Sequence, residues 1–169
     1  NPFWGRWVNI AAHRGNRPWS GETQPLESGT KATYDPDCYL CPGNERANGT
    51  RNPDYKGVWS FPNDFPSLTL DTYEVEGALG PYLTRTSRGV CEVINYSPHH
   101  SKRLATMSVT EIVQVVNGWA EIYSRLGANV DIKYPLIFEN YGTIMGNSQP
   151  HPHGQVYAYA QIPGLMIQP

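Results

Sequence analysis

Apolar and polar residues alternate along this chain in short runs, interrupted once by a helical period. Ile112, Val115, Val116, Trp119, Ile122, Tyr123 and Leu126 recur at the spacing of one helical face, which predicts a helix over 108–126. Ser108 followed three residues later by Glu111 forms a capping box at its start, Met107 is placed to staple onto Ile112, and Gly127 supplies a stop. Alternation predicts strands at Trp7–Ala11, Lys56–Phe61, Gly89–Tyr96, Pro135–Asn140 and Val156–Ala160. Stretches 20–36 and 68–88 have little periodicity and are expected to be loops. Strands on both sides of one helix, joined by short connections without a β-α-β repeat, predict an α+β fold with a mainly antiparallel sheet and long ordered loops.

The most constrained stretch lies between the last two predicted strands, at Asn147-Ser148-Gln149-Pro150-His151-Pro152-His153-Gly154-Gln155. Each proline fixes its own φ and keeps the residue before it out of the helical region, so Gln149 and His151 are held extended in a stiff loop. Gly154 is expected to let a ligand approach the backbone. Two imidazoles at the mouth of a sheet can ligate a metal, serve as nucleophile or base, or be spaced polar residues in a rigid turn.

Cys38 and Cys41 form a C-x-x-C pair followed by Pro42-Gly43. A tight turn of this kind suits two thiolates gripping one tetrahedral ion, whereas a redox pair usually opens a helix. Only two ligands are local, so any others must come from far along the chain. Arg14 and Arg17, three apart around a glycine, can clamp a phosphate with their planar forks or be two solvated surface residues. Asn63-Asp64-Phe65, after a predicted strand, can read a base and ribose or be an ordinary Asx turn. Cys91 lies in a predicted strand and is expected to be buried and inert.

Composition narrows the partners. A chain of 169 residues is one typical domain, and 16 glycines with 15 prolines call for ordered loops. A formal charge of -2 and a pI of about 6.2 argue against general nucleic-acid or anionic-membrane binding. Three cysteines without a disulfide framework, and no signal peptide or membrane-spanning apolar run, lead to the expectation of a cytoplasmic protein. The chain begins at Asn1 rather than Met, which raises the expectation of a fragment.

These motifs together resemble the galactose-1-phosphate uridylyltransferase family of the histidine triad superfamily. The likeness rests on His13-Arg14 with Arg17-Pro18-Trp19, Asp37 through Asn44, Asn63-Asp64-Phe65, Ser97 through Ser101, Phe138-Glu139-Asn140 and Ser148 through Gln155, in the family's order. The resemblance implies a histidine-triad-like fold and a single domain over 1–169 matching the family's N-terminal half, with the C-terminal half and its second metal absent. It implies UMP exchange between UDP-glucose and galactose 1-phosphate through a covalent uridylyl-histidine. His153 would be the nucleophile, with Gln155 and Ser148 assisting. Gln155 stands where other branches carry a third histidine.

By the same likeness, Cys38, Cys41, His100 and His151 would hold a structural zinc. Arg14, Arg17, Leu40, Ala47, Asn63, Asp64, Phe65, Asn140, Gly146, Asn147, Ser148 and Gln155 would bind the UDP-sugar and hexose 1-phosphate. The full-length protein would be a homodimer. A phosphorylase or hydrolase acting on ADP-sugars or dinucleoside polyphosphates, or a zinc-stabilised domain without catalysis, are the alternatives. Two features depart from the family pattern: Asn147 stands before Ser148 where a small or thiol residue is expected, and the segment 128–133 is longer than the usual turn.

Overall fold

The computed structural model describes residues 7–11, 13, 32–142, 145 and 149–167. Its main sheet has four strands, β1 (Trp59–Pro62), β4 (Gly89–Asn95), β5 (Tyr134–Phe138) and β6 (His153–Tyr159), in the order β1-β4-β6-β5 with every pair antiparallel. A hairpin of β2 (Glu76–Leu79) and β3 (Tyr82–Arg85) forms a separate two-stranded sheet. One long helix, α1 (Val109–Gly127), lies between β4 and β5 in sequence. The α+β expectation holds.

The helix starts as its sequence dictates. Ser108 is the N-cap, its hydroxyl accepts from the Glu111 N–H, and the Glu111 carboxylate accepts from the Ser108 N–H at 2.9 Å. Lys102 donates to the same carboxylate. Hydrogen bonding to Lys102 and then Ser108 lowers the pKa of Glu111 to about 2. At the other end Ala128 is the C-cap in the right-handed region, so Gly127 is the last helical residue rather than the stop.

The helix packs through Val115, Ile122 and Leu126 against Ile94, Tyr96, Val156, Ala158 and Ile132, with Trp119 at the margin. Val116 and Tyr123, expected on the same face, are about half exposed, at 48 and 49 %. Each follows a buried position by one residue, a rotation of about 100°, and flanks the contact rather than entering it.

Strand alternation gives the sheet two faces. On β6, Gly154, Val156 and Ala158 are buried and the last two join the helix-side core. His153, Gln155, Tyr157 and Tyr159 therefore share the opposite face. On β4, Val90 and Ile94 belong to the helix side, as does Glu92, which takes a bidentate bond from Arg125 of α1 at 2.9 and 2.6 Å. Val93 packs instead with Cys38, Leu40, Cys41 and Phe61, a second cluster on the far face.

Three expectations are corrected. Residues 7–11 form no strand, since Val8 and Ile10 are 79 and 88 % exposed and give the alternation nothing to bury. Stretch 68–88 contains the β2–β3 hairpin, closed by Gly80-Pro81 with Gly80 at φ 58°, as the first central residue of a primed two-residue turn requires. Both strands are exposed along their whole length, the apolar Leu79, Tyr82 and Leu83 included, so no face of them carried a burial signal. Last, β6 begins at His153 and not Val156, because His153 pairs with Asn95 and Gly154 with Ile94. The space beside Gly154 is filled by Tyr96, whose hydroxyl oxygen would lie 2.3 Å from an added Cβ, so a core ring makes a close approach at this glycine.

Two outcomes follow from this packing. Glu92 is 6 % exposed, so Arg125→Ala leaves a buried carboxylate without its cation; urea unfolding is expected to show a loss of roughly 1–3 kcal/mol, discounted because the Arg125 side chain is half exposed. The capping carboxylate is depressed in the folded state. Its stabilising contribution is complete above about pH 4.5 and is lost as pH falls through about 2, so the stability gap between the native chain and Glu111→Gln should close over that window.

Candidate active site and metal centre

The segment carrying Cys38 and Cys41 is turn rather than helix, and its carbonyls are clamped by amide and phenol donors. Asn44 Nδ2 donates to Asp35 O and Cys38 O, and Asn52 Nδ2 donates to Tyr39 O and Cys41 O. Leu40 O accepts from Tyr55 at 2.6 Å and from Asn95 Nδ2 at 3.1 Å. Asn95 lies on β4, so the turn is bolted to the far face of the sheet. Tyr55 continues as a stack onto Trp59 and Phe61 of β1.

This clamp brings four potential ligands together. The ligand atoms of Cys38, Cys41, His100 and His151 all lie within 4.8 Å of one another. His151 is fully buried; its Nε2 donates to Ser97 O at 2.9 Å, which leaves Nδ1 as the acceptor-type nitrogen, 3.5 Å from Cys41 Sγ and 3.9 Å from Cys38 Sγ. His100 Nδ1 is 3.5 Å from Cys41 Sγ. Bond lengths of about 2.0–2.3 Å in a tetrahedral zinc site place ligand atoms roughly 3.3–3.8 Å apart, so the donor set and its spacing fit a Cys2His2 metal centre.

Burial alone works against charge here, pushing the Cys38 thiol up to about 12 and the His151 ring down to about 4. A divalent cation reverses that balance for the thiols, since coordination favours thiolate. The neutral imidazole is already the ligating form.

Two residues on, His153 opens β6 and donates from Nδ1 to the His151 carbonyl at 2.8 Å. A carbonyl only accepts, so Nδ1 carries the proton and the lone pair of the neutral ring lies on Nε2. His153 borders a cavity shared by Leu40, Ala47, Asn63, Asp64, Phe65 and Gln155. Asn63 Oδ1 accepts from Phe65 N at 2.9 Å, the Asx turn that presents Asp64, and Asn63 Nδ2 reaches Gln155 Oε1 at 3.5 Å. Asp64 is held by opposing effects: burial raises its pKa, and Arg46 lowers it.

Asn140 follows β5 and is not among the residues lining this cavity. Arg14, Arg17, Gly146, Asn147 and Ser148 lie outside the described residues.

Sequence reasoning did not single out Tyr39, Arg46, Phe61, Val93 and Gln149, which also line the cavity. The strand register supplies two of them. Phe61 pairs with Val93, Val93 with Gln155, and Gln155 with Phe138, so one row crosses the sheet under the cavity. Such a row is invisible to one-dimensional alternation. Arg46 gave no signal either, being one basic residue in a polar turn.

Comparison with known proteins bears on the whole chain. The family model described as galactose-1-phosphate uridyl transferase, N-terminal domain, matches residues 1–163. The galactose-1-phosphate uridylyltransferase of Haemophilus influenzae is 42% identical over 164 residues, covering 96% of this chain and 46% of the relative. That of Rattus norvegicus is 42% identical over 168 residues, covering 98% and 43%. The chain thus spans about half the length of these curated relatives. A solved uridylyltransferase structure superposes with a TM-score of 0.70 at 25% identity, covering 96% of this chain and 46% of that one. An ADP-glucose phosphorylase from Arabidopsis thaliana, solved with ADP-glucose bound, shares the fold at a TM-score of 0.56 and 21% identity, over 97% and 49% of the two chains. With the family's N-terminal domain matching almost the whole of these 169 residues, this chain belongs to the galactose-1-phosphate uridyl transferase family.

Proposed function

We propose that this chain, as a single domain corresponding to the family's N-terminal half, carries the uridylyl-accepting site of a UDP-glucose:hexose-1-phosphate uridylyltransferase. The observation that supports the reading most directly is the His153 tautomer: Nδ1 is tied to the His151 carbonyl, and Nε2 is the nucleophilic nitrogen beside a cavity bearing an amide, a carboxylate and an aromatic ring. His153 Nε2 attacks the α-phosphorus of the UDP-sugar. The bond from that phosphorus to the bridging oxygen breaks, and sugar 1-phosphate leaves with the electron pair. The N-phosphorylated ring is cationic while Nδ1 keeps its proton, and the carbonyl acceptor stabilises that charge. An incoming hexose 1-phosphate oxygen then attacks the same phosphorus, the N–P bond breaks, and the imidazole is restored.

Gln155 donates an amide N–H to the phosphoryl oxygens and has no readily transferred proton, which favours passing the group to a sugar phosphate over hydrolysis. Ser148, Arg14 and Arg17 serve the phosphates, Leu40, Ala47, Asn63, Asp64, Phe65 and Asn140 serve the nucleotide, and Gly146 and Asn147 complete the substrate-binding set. Cys38, Cys41, His100 and His151 hold zinc, which ties the cysteine turn, the His100 segment and the His151 loop into one unit.

The metal assignment gives the first test. Elemental analysis should find about one zinc per chain, and Cys38→Ser should remove it and lower the melting temperature. The loss should fall below the roughly 10–16 kcal/mol that zinc supplies to small finger peptides, because this domain also has a core. Zinc affinity should rise with pH, with proton release on binding, because the buried Cys38 thiol must ionise. No zinc, together with an unchanged melting temperature in Cys38→Ser, would remove the assignment.

The nucleophile gives the second. After incubation with UDP-glucose, intact-mass measurement should show one uridylyl adduct on these 169 residues and none on His153→Asn. Turnover with galactose 1-phosphate should be far below that of the full-length relatives, since positioning of the acceptor is worth roughly 7–11 kcal/mol of the barrier. An adduct formed from ADP-glucose but not UDP-glucose would instead favour the phosphorylase branch.

A further inference from the structure

Arg46 is a basic residue that nothing in the proposed chemistry uses, yet it is built into the cavity wall. Its backbone is fixed by a tight turn, in which Arg46 N donates to Thr50 O at 2.8 Å and Gly49 N donates to Arg46 O at 2.9 Å. The guanidinium carbon sits 4.2 Å from the centre of the Phe61 ring, and Nη1 is 3.5 Å from Asp64 Oδ1. The two side chains are 9 and 11 % exposed.

An arginine beside an anionic ligand is usually a phosphate clamp, but the geometry here opposes that role. Nε and Nη1 of Arg46 are buried and make no hydrogen bond, so a phosphate cannot reach them past the ring and the carboxylate. Asp64 Oδ1 is buried in the same way. At 3.5 Å the contact is a charge pairing and not a closed hydrogen bond. Arg46 thus acts on Asp64 through its charge, while the Asx turn at Asn63 orients the carboxylate from the other side.

We infer that Arg46 is a positioning residue for nucleotide recognition, holding Asp64 as an oriented carboxylate that accepts hydrogen bonds from the ribose hydroxyls. The inference rests on the nucleotidyl reading above. An ionised carboxylate is acceptor-only, and with Oδ1 buried against Arg46 its other oxygen, which has two lone pairs, is the one left to accept from ribose hydroxyls. Without Arg46 the burial of Asp64 is unopposed, which favours the neutral acid and weakens that acceptor.

Equilibrium binding of UDP and 2′-deoxy-UDP to the chain tests this. The native chain should prefer UDP. Arg46→Met should weaken UDP by about tenfold or more, the size of a hydrogen bond to a charged group, and should change 2′-deoxy-UDP little. Arg46→Lys, which keeps the charge, should recover part of the preference. Adding Arg46→Met to Asp64→Asn should weaken UDP no further, because the two act as one unit.

Equal losses for both nucleotides with no recovery in Arg46→Lys, or full additivity of the double variant, would show Arg46 to be structural and overturn the inference. If Arg46→Met does not fold, Arg46→Lys and Asp64→Asn carry the comparison: sugar discrimination intact in Asp64→Asn would overturn it. Failure of the unaltered chain to bind UDP would overturn the nucleotidyl reading and this inference together. Normal UDP binding with unchanged discrimination in the Arg46 variants would overturn the inference alone.

Discussion

The site depends on the contacts of one buried residue, His151. Its ring is fully buried, with Nε2 donating to Ser97 O and Nδ1 facing the two cysteine sulfurs. Its carbonyl accepts from His153 Nδ1. One backbone position therefore joins the Cys2His2 cluster to the His153 ring, and Pro152 after it keeps it out of the helical region so that both contacts are possible. Movement of the His151 ring would carry its carbonyl along, and the tautomer of His153 would lose the acceptor that sets it.

The sheet separates stability from chemistry by face. Toward α1 it presents Ile94, Tyr96, Val156 and Ala158, and the pair of Glu92 with Arg125 ties helix to strand. Away from α1 it presents Asn95, Val93, His153 and Gln155, over which the cysteine turn is clamped. The polar groups of the site thus sit on a rigid β-surface whose other side is an ordinary apolar core. Elements of this kind hold a constellation more tightly than loops do.

Charge burial is managed locally. The Cys38 thiol is pushed up by burial, the His151 ring down, and Asp64 up against the pull of Arg46. Each such group has a partner of matching chemistry within reach: sulfur with imidazole, carboxylate with guanidinium. The amide clamp of Asn44, Asn52 and Asn95 serves the same economy for the backbone, because each Nδ2 satisfies carbonyls that the turn cannot pair internally.

The sequence by itself determined whatever is local. Ser108 and Glu111 fixed the start of α1, the alternation of Gly89–Tyr96 marked the central strand, and Pro42-Gly43 kept the cysteine pair in a turn. The ordered run of motifs was enough to reveal the family.

Only the tertiary structure decided which distant residues meet. It brought His100 and His151 to Cys38 and Cys41, set Phe61, Val93 and Gln155 in one row, and placed Arg46 behind Asp64. It also left Val8 and Ile10 without a partner strand and built a hairpin from Glu76 to Arg85, where every strand residue is exposed and no buried face set a pattern. The physical reason is that periodicity records which side of an element is buried, whereas register and long-range approach depend on partners whose identity is not written at the position itself.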